Sequence, residues 1–368
     1  MRLLFFIGSL VRGGAERVLV NISSELANRG HDVVIALNDN AIEYEATSMS
    51  VVAAPARHYI KGKDPISVFI RRVQLKKHHR KHVKTIIKKA QPDVIISFQQ
   101  CNTDAILRYH NNIPIVLSEH NAYDRNLGLE HYFLRFFISR FYDKVFLLTP
   151  FDQGYAKAKG LKNTVVMPNP NTFESIFETD YKDTFYGRKN ILVCGRLDVW
   201  RVKGFDLAIQ VFSSLANDFP NVELDIVGGG SDASNSQIER IANQFGVKDR
   251  VHLLGRRDDV KELMRNHQVF ILSSRTEGFP MVLTEAMSQG LPCVSFDKIA
   301  NSIINNSIDG YLVSDGDVKE MAAIVSQLLQ NNTLRYRIGL AALNNVKRFS
   351  PEIIADRWEK ILFQLKHS

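Results

Sequence analysis

Glu277-Gly278-Phe279-Pro280-Met281-Val282-Leu283-Thr284-Glu285 sets two carboxylates eight positions apart, around a glycine, an aromatic residue, a proline and three apolar residues. Pro280 suits the first turn of a helix, where its missing N–H is no loss. The expected helix runs over Val282–Gln289, and a strand expected at Val269–Leu272 ends one short loop before it. A helix N-terminus leaves backbone N–H groups without intrahelical partners, and such groups bind phosphate well. Glu277 then stands in the loop ahead of that terminus and Glu285 one to two turns inside it. A phosphate between them would have a carboxylate on either side, each able to accept hydrogen bonds from hydroxyls. The plainer reading is a helix start with two solvent-facing acids. Spacing alone favours the plainer reading, so the rest of the chain has to decide.

Outward from this stretch, short apolar runs alternate with helical periodicity. In the first half, strands are expected at Leu3–Ile7, Val33–Leu37, Val94–Phe98, Ile115–Ser118, Lys144–Leu148 and Val165–Met167, with a helical run over Val18–Ala27 ending at Gly30. Pro168-Asn169-Pro170-Asn171 reads as a linker. A second alternation follows, with strands at Ile191–Cys194, Val222–Val227, Val251–Leu254, Val269–Leu272 and Pro292–Phe296. Helices are expected between these strands, and again after Asp317 and Pro351. Unalternating apolar strands separated by helices indicate parallel sheets covered on both faces. The chain is therefore expected to form two Rossmann-like domains facing a central cleft, residues 1–170 and 171–350. A C-terminal helix, 351–368, returns to the first domain.

At 368 residues the chain suits two domains. No apolar run reaches the length of a membrane span. Leu3–Ile7 leads directly into Gly13-Gly14-Ala15-Glu16-Arg17 with no small-residue cleavage site, so a buried first strand is the better reading than a signal peptide. Cys101, Cys194 and Cys293 are scattered, which fits a reducing compartment and gives no metal-site spacing. The first 172 residues hold 24 Lys and Arg against 14 Asp and Glu, and the remainder 23 against 25. The positive excess thus lies entirely in the first half.

Several motifs fall at expected strand ends, where open α/β sheets place their ligands. Gly195-Arg196-Leu197 follows one strand, and Lys203-Gly204-Phe205-Asp206 comes shortly after. Two fixed cations there could stabilise a departing diphosphate, or could be surface charges on a glycine-capped turn. Val227-Gly228-Gly229-Gly230-Ser231 permits close backbone approach. Leu253-Leu254-Gly255-Arg256 ends another strand, and Asp258-Asp259 behind it reads as an N-cap. Ser118-Glu119-His120-Asn121 ends a strand of the first unit; His120 is either a site residue or a solvated loop histidine. Asp315-Gly316-Asp317 has the form of a metal-binding acid pair, yet a turn with an N-cap fits its place before an amphipathic helix.

Taken together, these motifs resemble the retaining glycosyltransferases of family 4, which have the GT-B fold. The resemblance runs over nearly the whole chain, through Gly310-Tyr311-Leu312-Val313 and Arg348-Phe349-Ser350-Pro351. It is nearest to the bacterial enzymes of exopolysaccharide, capsule, O-antigen and lipid-linked oligosaccharide synthesis. It implies that His120, Glu277, Arg196 and Lys203 serve catalysis. Donor binding would fall to Gly13, Gly14, Gly228, Arg256, Gly278, Phe279, Pro280, Met281, Val282 and Glu285. It also implies that no metal or other cofactor is needed. Two features depart from the family. The Arg196–Lys203 spacing is longer than usual, so that Asp198–Val202 reads as an extended loop and Arg201 becomes a rival cation. After Ser295-Phe296-Asp297 a Cys-Pro-x-Gly-Pro run is replaced by Lys298-Ile299-Ala300-Asn301-Ser302.

Between Arg71 and Lys89 nine cations meet no acid, among them Arg71, Arg72, Lys76, Lys77, Arg80 and Lys81. A solvated helix accounts for them. So does a surface that meets anionic lipid headgroups or the pyrophosphate of a lipid-linked acceptor. Nucleic acid is not expected, for want of a recognition motif. The expectation is a cytoplasmic hexosyltransferase, peripheral on the inner face of the membrane, that uses a nucleotide sugar (a UDP-sugar) and a glycan or polyprenyl-diphosphate-linked acceptor. The alternatives are a non-catalytic nucleotide-sugar-binding assembly protein and a GT-B-fold nucleotide-sugar 2-epimerase.

Overall fold

A computed structural model describes residues 1–11, 13–39, 41–44, 49–53, 65–123 and 129–367, without the side chains of 53, 65–76, 129–131 and 134. The chain divides into two compact units, Met1–Pro170 with Pro351–Ser368, and Asn171–Ser350.

The first unit is built on seven strands: β1 (Arg2–Ile7), β2 (Asp32–Leu37), β3 (Ser50–Ala53), β4 (Val94–Phe98), β5 (Ile115–Ser118), β6 (Lys144–Leu147) and β7 (Thr164–Val166). They pair in parallel in the order β3-β2-β1-β4-β5-β6-β7. Every residue of β4 and β5 is buried, as a sheet with both faces covered requires. The covering helices include Gly14–Asn28, Pro65–Ala90 and Pro150–Ala158. The last of these begins on a sequence-legible cap: Thr149 Oγ1 accepts from the Asp152 N–H at 3.0 Å, and Pro150 occupies the first turn.

Helix Pro351–Lys366 completes this unit. Its Trp358 is buried between Phe146 (ring centroids 4.8 Å, edge-on), Phe5 and Phe98 (both 6.3 Å). Polar contacts fix the same helix at its rim. Arg29 reaches Asp356 at 2.6 Å and Glu359 at 3.2 Å, and His31 Nε2 lies 2.8 Å from Glu359. Truncating an aromatic so enclosed costs about 3–5 kcal/mol.

The second unit holds β8 (Lys189–Cys194), β9 (Leu224–Val227), β10 (Val251–Gly255), β11 (His267–Leu272), β12 (Cys293–Phe296) and β13 (Tyr311–Val313). All pair in parallel, in the order β10-β9-β8-β11-β12-β13. In both sheets the order reverses once, between β1 and β4 and between β8 and β11. In open α/β sheets ligands bind at such a point, outside the carboxyl ends of the strands.

Three local differences from the sequence reading stand out. The stretch Asp198–Val202 is not an extended loop: Leu197–Val199 is a 3-10 turn and Trp200–Lys203 a helical turn. Pro280 is the N-cap residue and not a first-turn residue, with helix Met281–Ser288 beginning behind it. Asp259 occupies an N-cap position but gives its carboxylate to Arg257, at 2.5 and 2.7 Å, instead of to the helix. Asp317, by contrast, caps helix Val318–Gln330 through the Glu320 N–H at 2.9 Å, and Asp315 accepts from the Lys298 N–H at 3.2 Å.

Candidate functional site

The carboxyl ends of β8 and β11 bring the sequence motifs of the second unit together. Past β8 the chain runs through Gly195 and Arg196 into the two short turns that end at Lys203-Gly204. Gly204 has a φ of +65°, and a Cβ on it would stand 1.9 Å from the Ser273 carbonyl oxygen beyond β11. Only glycine permits both the turn and the approach. Ser273 Oγ donates to the Gly204 carbonyl at 2.8 Å and fastens the contact. The aliphatic stem of Lys203 lies over Gly195, whose missing Cβ leaves it room.

These constraints deliver the Lys203 ammonium to Glu277. Nζ and Oε1 are 2.7 Å apart, and the same oxygen accepts from Ser274 Oγ at 2.7 Å. Both partners are partly buried, with side-chain exposures of 22% and 13%. A charge pair in this setting is stronger than one on the open surface. Glu277 leads through Gly278, Phe279 and Pro280 into helix Met281–Ser288. Phe279 is anchored edge-on against Phe349, at 5.4 Å. Glu285 is buried in the second turn. The Cys194 thiol, at the end of β8, is pushed up first by burial and then by the Glu285 carboxylate, which places that charge beside the strand end.

Three loops at this end of the sheet are stitched edge to edge. The Leu197 N–H donates to Gly229 O and the Gly228 N–H to Gly255 O, both at 2.9 Å. A Cβ on Gly228 would collide with the Gly195 carbonyl, and one on Gly230 with Leu197. Asp198 closes the seam. One of its oxygens accepts from the Ser231 N–H (2.9 Å), Ser231 Oγ (2.8 Å) and Ser234 Oγ (3.1 Å). The backbone bond from Ser231 leads the set of contacts that hold this carboxyl below the usual range. Arg196 and Arg256 lie exposed on these loops. Arg201 is exposed, with its guanidinium 5.6 Å from the centre of the Trp200 ring, while Lys203 holds Glu277.

His120, in the first unit, stacks on Phe98 with ring centroids 4.6 Å apart, and its Nε2 is 2.9 Å from Ser118 Oγ. Burial pushes its pKa down to about 3, with the Asn169 side chain opposing, so the imidazole is neutral near pH 7. A solvated loop histidine does not fit this environment. Gly13 is the N-cap of helix Gly14–Asn28, and a Cβ there would meet the Glu16 carboxylate at 2.2 Å.

In the basic helix Pro65–Ala90, the structure describes only the backbone of Arg71, Arg72 and Lys76; their side chains lie outside the described ones. Arg80 is not a free cation: Asp104 takes it at 2.6 and 2.9 Å. Lys77 and Lys81 are exposed.

Sequence reading did not find Ser274, Arg275, Asp198 or Ser231. Asp198 with Ser231, and Arg275 with Asp206, meet across loops 33 and 69 residues apart, whereas Ser274 bonds Glu277 three residues on. Serine two residues past a strand end, ahead of Glu277, was the one local signal available.

Lys203, Arg196, the glycine loops and a helix start thus gather at the switch point of a parallel sheet, and the chain has the GT-B fold. The sequence settles the class. Residues 12–171 match the family described as Glycosyltransferase Family 4, and residues 188–331 match Glycosyl transferases group 1. The chain belongs to these glycosyltransferases. It is 26% identical to an uncharacterized glycosyltransferase of Haemophilus influenzae, over 97% of this chain and 99% of that one. It is also 26% identical to the amylovoran biosynthesis glycosyltransferase AmsD of Erwinia amylovora, over 95% and 96%. A Campylobacter jejuni alpha-1,4-N-acetyl-D-galactosaminyltransferase, named for an undecaprenol-diphosphate-linked glycan, is 24% identical over the full length of both. Anabaena HepE, solved in complex with UDP, has the same fold (TM-score 0.77, 20% identity, 99% and 100% covered).

Proposed function

We propose that this glycosyltransferase transfers a sugar with retention, and without a metal, from a nucleotide-sugar donor to a glycan or lipid-linked glycan acceptor. Its place is the synthesis of bacterial surface polysaccharide or oligosaccharide, and the preferred donor is a UDP-sugar. The second unit takes the donor and the first takes the acceptor. The Lys203–Glu277 pair, 2.7 Å apart at the β8/β11 switch point, carries this reading. A diphosphate arriving beside Arg196 draws the Lys203 ammonium away from Glu277 and onto its own oxygens. Glu277 keeps its bond from Ser274 and turns its freed capacity to a hydroxyl of the donor sugar. Two cations and the start of helix Met281–Ser288 then balance the charge that grows on the departing nucleotide. Neutral His120 offers a polar contact to donor sugar or phosphate. Attack on the face the nucleotide leaves accounts for retention without a protein nucleophile.

The relatives lend support: HepE was solved with UDP, and the Campylobacter enzyme is named for a polyprenyl-diphosphate-linked acceptor. Such an acceptor would hold the protein at the cytoplasmic membrane surface, although no helix among the described residues is long and apolar enough to cross a membrane. The direct test follows nucleotide release by purified protein from a panel of UDP- and GDP-sugars, with and without a polyprenyl-diphosphate acceptor. Release from one UDP-sugar, abolished in Lys203→Ala, is expected. Tight UDP binding with no release from any donor would leave a nucleotide-sugar-binding assembly protein instead.

A further inference from the structure

Phe133, Phe137 and Phe141 stand four residues apart, across helix Leu129–Phe136 and the 3-10 turn Ile138–Phe141. Their rings form a ladder, with Phe133 and Phe137 stacked at 4.9 Å and Phe137 and Phe141 edge-on at 6.4 Å. Each is about half exposed, between 49% and 61%, and Tyr132 beside them is 50% exposed. Isolated exposed aromatics are ordinary, but a contiguous run of them marks an interaction surface.

The ladder has a firm base. Phe136 is buried beneath it, edge-on to Tyr123 at 5.3 Å. Arg135 is also buried and donates to the Ala122 and Tyr123 carbonyls at 3.2 and 2.8 Å. The turn is tied to the segment ahead of β7, where Arg140 donates to Lys159 O and Asn163 to Ser139 O, both at 3.3 Å. That tie sets Arg140, beside Phe141 in the chain, against the Lys157–Lys162 segment, whose Lys157, Lys159 and Lys162 are exposed as Arg140 is. Between Leu129 and Asn163 the acids are Glu130, whose side chain lies outside the described ones, Asp143 and Asp152. Asp143 Oδ2 accepts from the Ile115 N–H at 2.7 Å, and Asp152 is buried, with Oδ1 accepting from the Tyr123 N–H at 2.9 Å.

We propose that this aromatic ladder and its cationic rim dock the first unit on an anionic lipid bilayer, with the phenylalanines entering the headgroup–acyl boundary. The inference rests on the reading that the acceptor is lipid-borne. Apolar rings flanked by lysine and arginine match both layers of an anionic interface. A second copy of the chain is a poorer occupant, because a two-fold contact would set the same cations against each other.

Flotation with phosphatidylcholine vesicles, with and without phosphatidylglycerol, tests the surface independently of catalysis. The wild-type protein is expected to bind the anionic vesicles and to keep part of that binding in high salt, since ring insertion is not screened. Replacing Phe133, Phe137 and Phe141 together by serine should weaken binding at least about tenfold and remove the salt-resistant part. Nucleotide release from the free donor should not change. Reversing Lys157, Lys159 and Lys162 to glutamate should reduce the salt-sensitive part. A Phe137→Trp variant, read against the wild type's own tryptophans, should be quenched by brominated acyl chains, and this holds even if the triple variant folds poorly. Equal vesicle binding by wild type and triple variant, or no quenching of Phe137→Trp, would overturn the proposal. So would a wild-type dimer that the serine variant turns into a monomer without any vesicle binding. Failure of donor hydrolysis would instead strike the catalytic reading and leave this surface standing.

Discussion

The Arg275 guanidinium grips both carboxylate oxygens of Asp206, at 2.7 and 2.8 Å, and also donates to the Arg201 carbonyl. The Arg275 backbone N–H adds a bond to Val202 O at 2.8 Å. The lengthened segment before Lys203 is thereby clamped to the loop that carries Glu277. Arg275→Ala should raise the donor KM severalfold and barely move the melting temperature, since an exposed pair contributes less than about 1 kcal/mol. Enzyme kinetics beside a thermal melt separate the two effects. An unchanged KM would make the clamp decorative.

Lys203→Ala and Arg196→Ala should each weaken UDP binding by roughly 1.5–3 kcal/mol, the range for a lost bond to a charged group. Titration calorimetry reads this directly. Arg201→Ala serves as the contrast, because its side chain lies over Trp200 and should leave UDP affinity near wild type. A large loss there would exchange the roles of Arg201 and Lys203.

Transfer should persist in a chelator. The cations that face the diphosphate in our reading are side chains, and Asp315 and Asp317 are engaged with the Lys298 and Glu320 backbone N–H groups. Activity abolished by chelator and restored by manganese would assign those two acids to the reaction.

His120 has a folded pKa of about 3, against an ordinary value of 6.5. As pH falls from 6.5 towards 3, the unfolded chain takes up a proton that the folded one refuses. The stability tied to this residue is therefore complete above pH 6.5 and drains away below it. Urea unfolding at pH 7.5 and 5 should show a larger drop for wild type than for His120→Gln. Equal drops would mean that His120 titrates normally.

In the basic helix, reversal of Lys77 and Lys81 to glutamate should lower the salt-dependent binding to anionic vesicles, at about 1 kcal/mol per cation near the surface. Arg80 should be left alone, because it is already paired with Asp104 and is not a free cation. Vesicle binding that ignores both reversals would leave the described end of this helix as a solvated surface.

Strands buried on both faces were legible because they are unbroken apolar runs: Val94–Phe98 and Ile115–Ser118 fall at the residues expected. β3 was missed because it is a four-residue edge strand whose identity comes from pairing with β2. Helix Asn332–Val346 was missed because only Asn331 separates it from the helix before it. At the candidate site, glycines and charges at strand ends could be read from the sequence. The bond from Lys203 to Glu277 could not, because the two stand 74 residues apart and meet only when β11 lies beside β8. The helical form of Trp200–Lys203 was equally hidden, as was its contact with Arg275, which bonds the Arg201 carbonyl from 74 residues away.

The burial of Trp358 against β1, β4 and β6 makes the first unit discontinuous in the chain, with residues 171–350 inserted before its closing helix. During synthesis, Phe5, Phe98 and Phe146 must wait for that helix while the whole second unit is translated. At about 5–20 residues per second the wait is roughly 10–40 s. Throughout it, the half-made enzyme shows an open aromatic face to the cell, a target for chaperones that vanishes once the helix docks.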